Sequence, residues 1–459
     1  MTPFVPLALL GWLPLVLYFF NRFPSQRAVV AGFVAGYLFL PQVAEYPIVQ
    51  GIPPYEKMAA LSYCVLLGTI LFDPGRFSSF RLSWIDLPML IWCLCPIASQ
   101  ISNGLSPISP TTKQLIDWGV PYFLGRIYFS DVAGLRQLAI GIFAGGVAYI
   151  PLCLLEMRIA PTLHLRVYGF HARADFGQTI RWGGYRPTVF LEHGLWVGMW
   201  MMAATLIGLV LWRTGVIKKL WNYSLNWLVP VLFVSFILVK STGAYLYLMM
   251  GIGIWFAAKW LRTTLPILFL IVALSGYVYM GASRSLYTIP QVNAFAATAN
   301  AGGGNDRSQS LAFRIFNEQL LTQKAQARML LGWGDSGGNR IYDEYGKDIA
   351  VTDSLWIIVY GQNGLVGLIS FMTVLLLPSL VFSFRYPASS WSNRKIAPAL
   401  ALALILVFYT MDSLLNAMAC PVFVLANGGL AGFLLRPPET NKPISTRASS
   451  SRRSLVQQR

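Results

Sequence analysis

The chain predicts an all-α polytopic membrane protein, with about 12–13 transmembrane helices and two large outward-facing loops that contain short helices. Three observations carry that prediction. Of 459 residues, 56% are apolar and only 12% are charged, about half the charged share of an ordinary soluble domain. Apolar runs recur at the length that a hydrocarbon core of about 30 Å demands. Basic residues also alternate between rich and poor connections, as the positive-inside rule requires. A typical soluble enzyme is thereby excluded. The net charge of +17 raises nucleic acid as a partner, but the excess lies in short connections and the tail, so no nucleic acid is expected.

Residues 1–155 hold the N-terminal spans 4–20, 28–44, 58–72, 84–101, 114–129 and 134–155. The first lacks a basic start and a small-residue cleavage site, so it reads as a span and not as a removable signal. The fifth contains Asp117, Gly119, Pro121 and Gly125, the composition of a broken helix. Residues 156–192 form outer loop one. The central spans 193–212, 224–240, 243–260 and 264–282 follow within 193–282, and residues 283–352 form outer loop two. Within 353–435 lie the last spans, 353–382, 396–415 and 419–435. Residues 436–459 are rich in Ser and Arg and predict a disordered, basic cytoplasmic tail held near anionic lipid. Cys64, Cys93, Cys95, Cys153 and Cys420 all fall in or beside apolar runs and are expected to pack as small hydrophobes.

Orientation follows from the cations. One set of connections carries Arg22, Arg27, Arg76, Arg81, Arg126, Arg136, Arg213, Lys218, Lys219, Lys259, Arg262, Arg385, Arg394 and Lys395. The short connections between them hold only Lys57, Lys113 and Lys240. The basic side is expected to be cytoplasmic, which puts the N-terminus and both long loops outside and the C-terminus inside. Loop one breaks the charge rule, with Arg158, Arg166, Arg173, Arg181 and Arg186 against Glu156, Asp175 and Glu192. It interleaves Tyr168, Phe170, Phe176, Trp182 and Tyr185. An arginine-rich exterior loop implies an anionic ligand, and aromatic faces suit sugar rings.

Loop two opens with Ala301-Gly302-Gly303-Gly304-Asn305, too glycine-rich for regular structure and lacking the Lys-Ser/Thr of a nucleotide-binding loop. An amphipathic helix is expected next, with Phe313, Phe316, Leu320, Ala327 and Leu331 on one apolar stripe. Arg314, Glu318 and Arg328 fall off that stripe, on a face suited to a polar ligand. The helix should stop at Gly332-Trp333-Gly334. Asp353-Ser354 then begins an apolar segment interrupted by Gly361-Gln362-Asn363-Gly364-Leu365-Val366-Gly367.

These residues resemble the O-antigen ligase and polymerase superfamily of bacterial envelope glycosyltransferases. The ligases carry a His, a small polar residue, nine residues and then Gly-x-x-Gly. Here Asp353, Ser354, nine residues, Gly364 and Gly367 keep the spacing, with Asp in place of His. The family places an Arg about a helix-length before a Gly-x-Gly turn, which Arg314 and Gly332-Trp333-Gly334 match. A second family Arg precedes a membrane helix, in a segment similar to Gly184-Tyr185-Arg186-Pro187 and onward to His193-Gly194. The resemblance implies an inner-membrane glycosyltransferase without metal or other cofactor. Its donor would be a polyprenyl-pyrophosphate-linked oligosaccharide, polymerised or ligated into a cell-surface polysaccharide on the outer face. Membrane lipid and other polysaccharide-assembly proteins are the further partners it implies. The alternatives are a ligase acting on a lipid acceptor and a lipid-linked oligosaccharide flippase or transporter.

Such a transfer needs the leaving pyrophosphate stabilised and the acceptor hydroxyl deprotonated. Guanidinium suits the first task, because its planar fork pairs with phosphate oxygens and keeps its charge. Arg186 and Arg314 are the candidates, with an i,i+4 pair to Glu318 as the plain alternative for Arg314. Asp353 is the candidate general base, and a helix N-cap is its plain alternative. His193 is expected to act as base or acceptor ligand, or to be an ordinary interfacial His. Arg181, Trp182, Tyr185 and Arg328 complete the expected substrate contacts, and no metal is expected at His164 or His171. Gly364 and Gly367 are expected to allow close helix packing. Asp86, Asp117 and Asp412 lie in or near spans, where a transporter would use them for ion coupling. No internal repeat is visible, which favours an enzyme over transporter folds built from inverted halves.

Overall fold

The computed structural model describes residues 2–43, 55–172, 176–298, 306–335 and 337–437. Expectations that rest on Arg173, Asp175, Ala301–Asn305 and the tail beyond Pro437 lie outside the described residues. The chain is an all-α polytopic membrane protein. From the N-terminus it forms α1 (Phe4–Arg22), α2 (Ser25–Phe39), α3 (Lys57–Phe72), α4 (Leu87–Ser102), α5 (Ile108–Gln114), α6 (Val120–Tyr128), α7 (Val132–Ile159) and the short α8 (Leu163–Tyr168). The central group is α9 (Gly194–Arg213), α10 (Leu225–Leu238), α11 (Thr242–Leu261) and α12 (Leu265–Ala282). Loop two contributes α13 (Pro290–Ala297) and α14 (Asp306–Gln326), and α15 (Leu355–Arg385), α16 (Ala397–Ser413) and α17 (Pro421–Leu435) close the bundle.

Every expected span overlaps helix, and among the described residues seven helical stretches are long and apolar enough to cross a membrane, with α3, α10, α16 and α17 as shorter apolar helices. The broken fifth span is α5 and α6 joined by a π-helical turn over Leu115–Gly119, which carries Asp117. α9, α16 and α17 are buried along nearly their whole length and form the centre. α17 lies so close to α6 that a Cβ at Gly125 would strike the Leu425 carbonyl oxygen, and one at Gly428 the Tyr122 oxygen. Small residues at helix crossings are how apolar helices associate where lipid offers no hydrophobic drive. At the periphery, Met249, Trp260, Phe269 and Val272 are exposed, as lipid-facing side chains must be.

The intramembrane acids resolve differently from one another. Asp86 accepts from Arg126 Nε at 2.7 Å, Arg126 Nη2 at 3.0 Å and the Tyr122 hydroxyl at 2.8 Å, a bidentate buried pair. Removing one partner of such a pair costs about 3–5 kcal/mol, which makes it structural. Asp117 pairs with Lys113 at 3.2 Å. Two charges expected in loops are instead interior. Lys57 is buried at the start of α3 and donates to the Phe190 carbonyl at 3.2 Å. Glu156 belongs to α7, and its carboxylate accepts the backbone N–H groups of Leu163, Thr188 and Val189 at 2.7–2.9 Å. It thus clamps loop one to the bundle.

Connections of like character gather at opposite ends. At one end Arg136 donates to the Val216 carbonyl, Arg394 Nε to that of Thr214, and Arg436 to Ser130 Oγ. At the other, Lys240 donates to the Arg181 carbonyl and Leu355 N–H to that of Asn416. Loops one and two share this second end. α15 is two helices joined at Gly364, whose φ of 62° and ψ of −158° break the spiral. The kink is level with the ends of α4 and α12: Ser99 Oγ donates to the Gln362 carbonyl, and Tyr360 lies against that of Ala282.

Candidate active site at the loop end

Loop one builds its part of the site on a two-residue hairpin, β1 (Ile180–Arg181) against β2 (Gly184–Tyr185). Trp182 and Gly183 turn it with φ of 48° and 67°, the paired positive angles of a tight hairpin. The chain then drives Arg186 inward. Its side chain is only 4% exposed, and its stem lies on Gly194, where a Cβ would approach to 2.7 Å. Nη2 donates to Ser241 Oγ at 3.0 Å, while the buried Nε has no partner among the described residues. Burial, and then the neighbouring Arg181 charge, push the Arg186 guanidinium down to about 10. It therefore remains protonated at neutral pH, a desolvated cation with a donor unspent.

His193 is the N-cap of α9, its Nδ1 accepting from Leu195 N–H at 3.0 Å. With Nδ1 accepting, a neutral ring carries its proton on Nε2, which suits donation to a ligand better than proton abstraction. His164 is committed on both sides: Nε2 accepts from Gln42 N–H at 3.1 Å and Nδ1 meets the Phe170 carbonyl at 2.8 Å.

In loop two the expected stripe is corrected. α14 buries Ala312, Asn317, Glu318, Leu321, Thr322 and Ala325, whereas Phe313 and Ala327 are exposed. Apart from Leu321, the side chains on that buried face are small or hydrogen-bonding. Glu318 is the reason. Its carboxylate accepts from the Tyr277 hydroxyl at 2.7 Å, Ser354 Oγ at 2.8 Å and Trp356 Nε1 at 3.3 Å. Burial pushes its carboxyl up, and the three donors hold it back. Glu318 makes no ion pair with Arg314, so the plain reading of Arg314 fails. Arg314 Nη2 instead donates to Asn416 Oδ1 at 3.2 Å.

Asp353 precedes α15, and the N-cap position belongs to Ser354, so the capping alternative for Asp353 is also corrected. Asp353 is half-buried and makes no hydrogen bond or ion pair among the described residues. The two glycine motifs behind it are one construction. Trp333 N–H donates to the Gly361 carbonyl at 2.9 Å and Gly334 N–H to that of Gln362 at 3.0 Å. Leu365 N–H returns to Met329 at 2.8 Å. A Cβ at Gly332 would sit 2.5 Å from Gln362, and one at Gly364 would strike Leu330. The turn after α14 is thus seated in the break of α15, backbone against backbone.

Over these elements lies a cavity of about 440 Å³, walled by Arg181, Arg186, His193, Arg314 and Asp353 with Trp196 and Phe313. Trp182, Tyr185 and Arg328 are not in the wall. Trp182 packs near Tyr245 at 6.2 Å and Tyr185 near Phe176 at 6.4 Å. Arg328 lies over the Trp333 ring at 4.7 Å and donates to Asn103 Oδ1. Glu192 and Asn416 also line the cavity, and no motif in the sequence marks either for a site role. Asn416 had a signal available: it follows the flagged Asp412 by four residues at a helix end, one face of one turn.

Comparison with known protein families gives no match for this chain, and neither does comparison with characterised proteins.

Proposed function

We propose that the protein is a glycosyltransferase of the bacterial inner membrane that extends a cell-surface polysaccharide on the outer face, using a polyprenyl-pyrophosphate-linked oligosaccharide as donor. The observation that carries this reading is the convergence of Arg186, Arg314 and Asp353, from three separated stretches, on one cavity. An acceptor sugar hydroxyl attacks the anomeric carbon of the donor, and Asp353 takes the hydroxyl proton. The bond from that carbon to the pyrophosphate oxygen breaks, and the electron pair leaves with the pyrophosphate. Arg186 and Arg314 bind the charge that develops there. Such pairing is worth more in a site walled from water than in solution. Trp196 and Phe313 offer apolar faces for sugar rings. Asp at the position where the ligases carry His favours the polymerase form.

Reconstitution tests the reading. Full-length protein in liposomes, supplied with polyprenyl-pyrophosphate-linked oligosaccharide, should yield longer lipid-linked glycans and one free polyprenyl pyrophosphate per bond formed. Movement of the unextended lipid across the bilayer without new bonds would instead make the protein a transporter.

The orientation has its own check. The five native cysteines are buried, so single cysteines report cleanly. In intact cells an impermeant thiol reagent should label Ile180→Cys and Ser285→Cys but not Ser392→Cys, at the basic end. The opposite pattern would invert the protein and remove the outer-face site.

A further inference from the structure

Arg314 is held by a neutral amide, and the carboxylate lies one residue pair further back. Asn416 Oδ1 accepts from Arg314 Nη2 at 3.2 Å, and Asn416 Nδ2 donates to Asp412 Oδ1 at 2.9 Å. The Tyr247 hydroxyl donates to the same Asp412 oxygen at 3.3 Å. A guanidinium has donors only, so the amide must turn its oxygen toward Arg314, which leaves its nitrogen to donate to Asp412. The backbone carbonyl of Asn416 also receives Leu355 N–H at 3.3 Å, two residues beyond Asp353. One residue therefore ties α16, the arginine of α14 and the start of α15 together. Asp412 is 6% exposed and its Oδ2 has no partner among the described residues.

We infer that Asn416 and Asp412 form a relay that orients Arg314 without neutralising it, and so keeps the guanidinium available to a pyrophosphate. This rests on the reading of the cavity as a pyrophosphate site. A carboxylate directly on Arg314 would fix the side chain more firmly, because charge-assisted hydrogen bonds are about twice as strong as neutral ones. It would also occupy the charge that the ligand needs. Interposing an amide separates the two effects: orientation passes through, while the negative charge stays a side chain away. Asn416 and Asp412 are positioning residues in this scheme, since Asp412 lies behind the wall and Asn416 acts through Arg314.

The test exchanges the pair. Asp412→Asn/Asn416→Asp keeps composition, volume and net charge. The amide placed at position 412 can donate to the carboxylate placed at position 416, and the Tyr247 hydroxyl can accept as readily as donate, so every hydrogen bond survives. Only the carboxylate moves, onto Arg314. The full-length protein in lipid nanodiscs is titrated with farnesyl pyrophosphate, with thermal midpoint and monodispersity measured alongside. The exchanged pair should keep the wild-type midpoint yet bind about tenfold to a hundredfold more weakly, the range for losing one hydrogen bond to a charged group. Wild-type affinity in the exchanged pair, with Arg314→Ala losing binding, would overturn the relay and leave the cavity reading intact. Wild-type affinity in Arg314→Ala would overturn the cavity reading itself. If the exchanged pair does not fold, Asn416→Ala serves, since it removes orientation and keeps every charge. It should bind several-fold more weakly, and unchanged binding would overturn the relay.

Discussion

Asp353→Asn is expected to leave the protein folded and inserted while cutting turnover by about 10²–10⁴-fold, the usual loss for an acid–base group. The structure makes this substitution clean. Asp353 caps no helix, that position being held by Ser354, and it makes no hydrogen bond or ion pair among the described residues. Replacing one carboxylate oxygen with an amide nitrogen therefore disturbs no packing. What it removes is the ability to accept a proton at neutral pH. Asp353→Ser should be equally inactive, and Asp353→His, which restores the ligase-like residue, should keep part of the activity. Glycan chain length on whole cells, normalised to protein in the same membranes, is the measurement. Normal chains from the Asn variant would end the general-base assignment and turn attention to Glu192, the other carboxylate in the wall.

Arg314→Lys should lose about 10²–10³-fold in turnover although the charge is kept, the scale seen when one preorganised transition-state donor is removed. A guanidinium can spend one amino group on Asn416 and present the rest of its planar fork to phosphate oxygens. An ammonium is a point donor and cannot do both in fixed geometry. Arg328→Lys provides the contrast. Arg328 lies over the Trp333 ring and against Asn103, outside the cavity, and a lysine retains a cation over an aromatic face. Its turnover should stay within about twofold of wild type. Equal losses at the two positions, measured in the same reconstituted assay, would mean that the loop requires positive charge in general and would strip Arg314 of its role.

Run length made the spans legible, because a bilayer imposes one thickness on every helix that crosses it. Charge was the less faithful guide. Lys57 and Glu156 were assigned to connections on the premise that ionised side chains stay outside. Both are interior, satisfied by Phe190 and by Thr188 and Val189, which lie 133, 32 and 33 residues away along the chain. The stripe on α14 failed for the same reason. Nothing near Glu318 in sequence announces that Tyr277 and Trp356, 41 and 38 residues distant, will meet its carboxylate. Motif spacing singles out Arg186, Arg314 and Asp353, and all three lie in the wall of one cavity. Arg328 shares the helical region of Arg314, yet the chain turns after Gln326 and carries it to the far side. Spacing along a helix predicts a face only while the helix continues.

The break at Gly364 sets an altitude. The leg from Leu365 to Arg385 is about 30 Å long at the usual rise per residue, enough to traverse the hydrocarbon unaided. The break and the turn seated against it then stand at the edge of the hydrocarbon, at the same end of the bundle as Asp353. A pyrophosphate on a polyprenyl chain already rides at that height. On the proposed function, the donor then need not be hoisted out of the bilayer or drawn down into it. That reading has it drift in sideways, its tail still dissolved in lipid, with the growing glycan pointing away from the membrane through every round of addition.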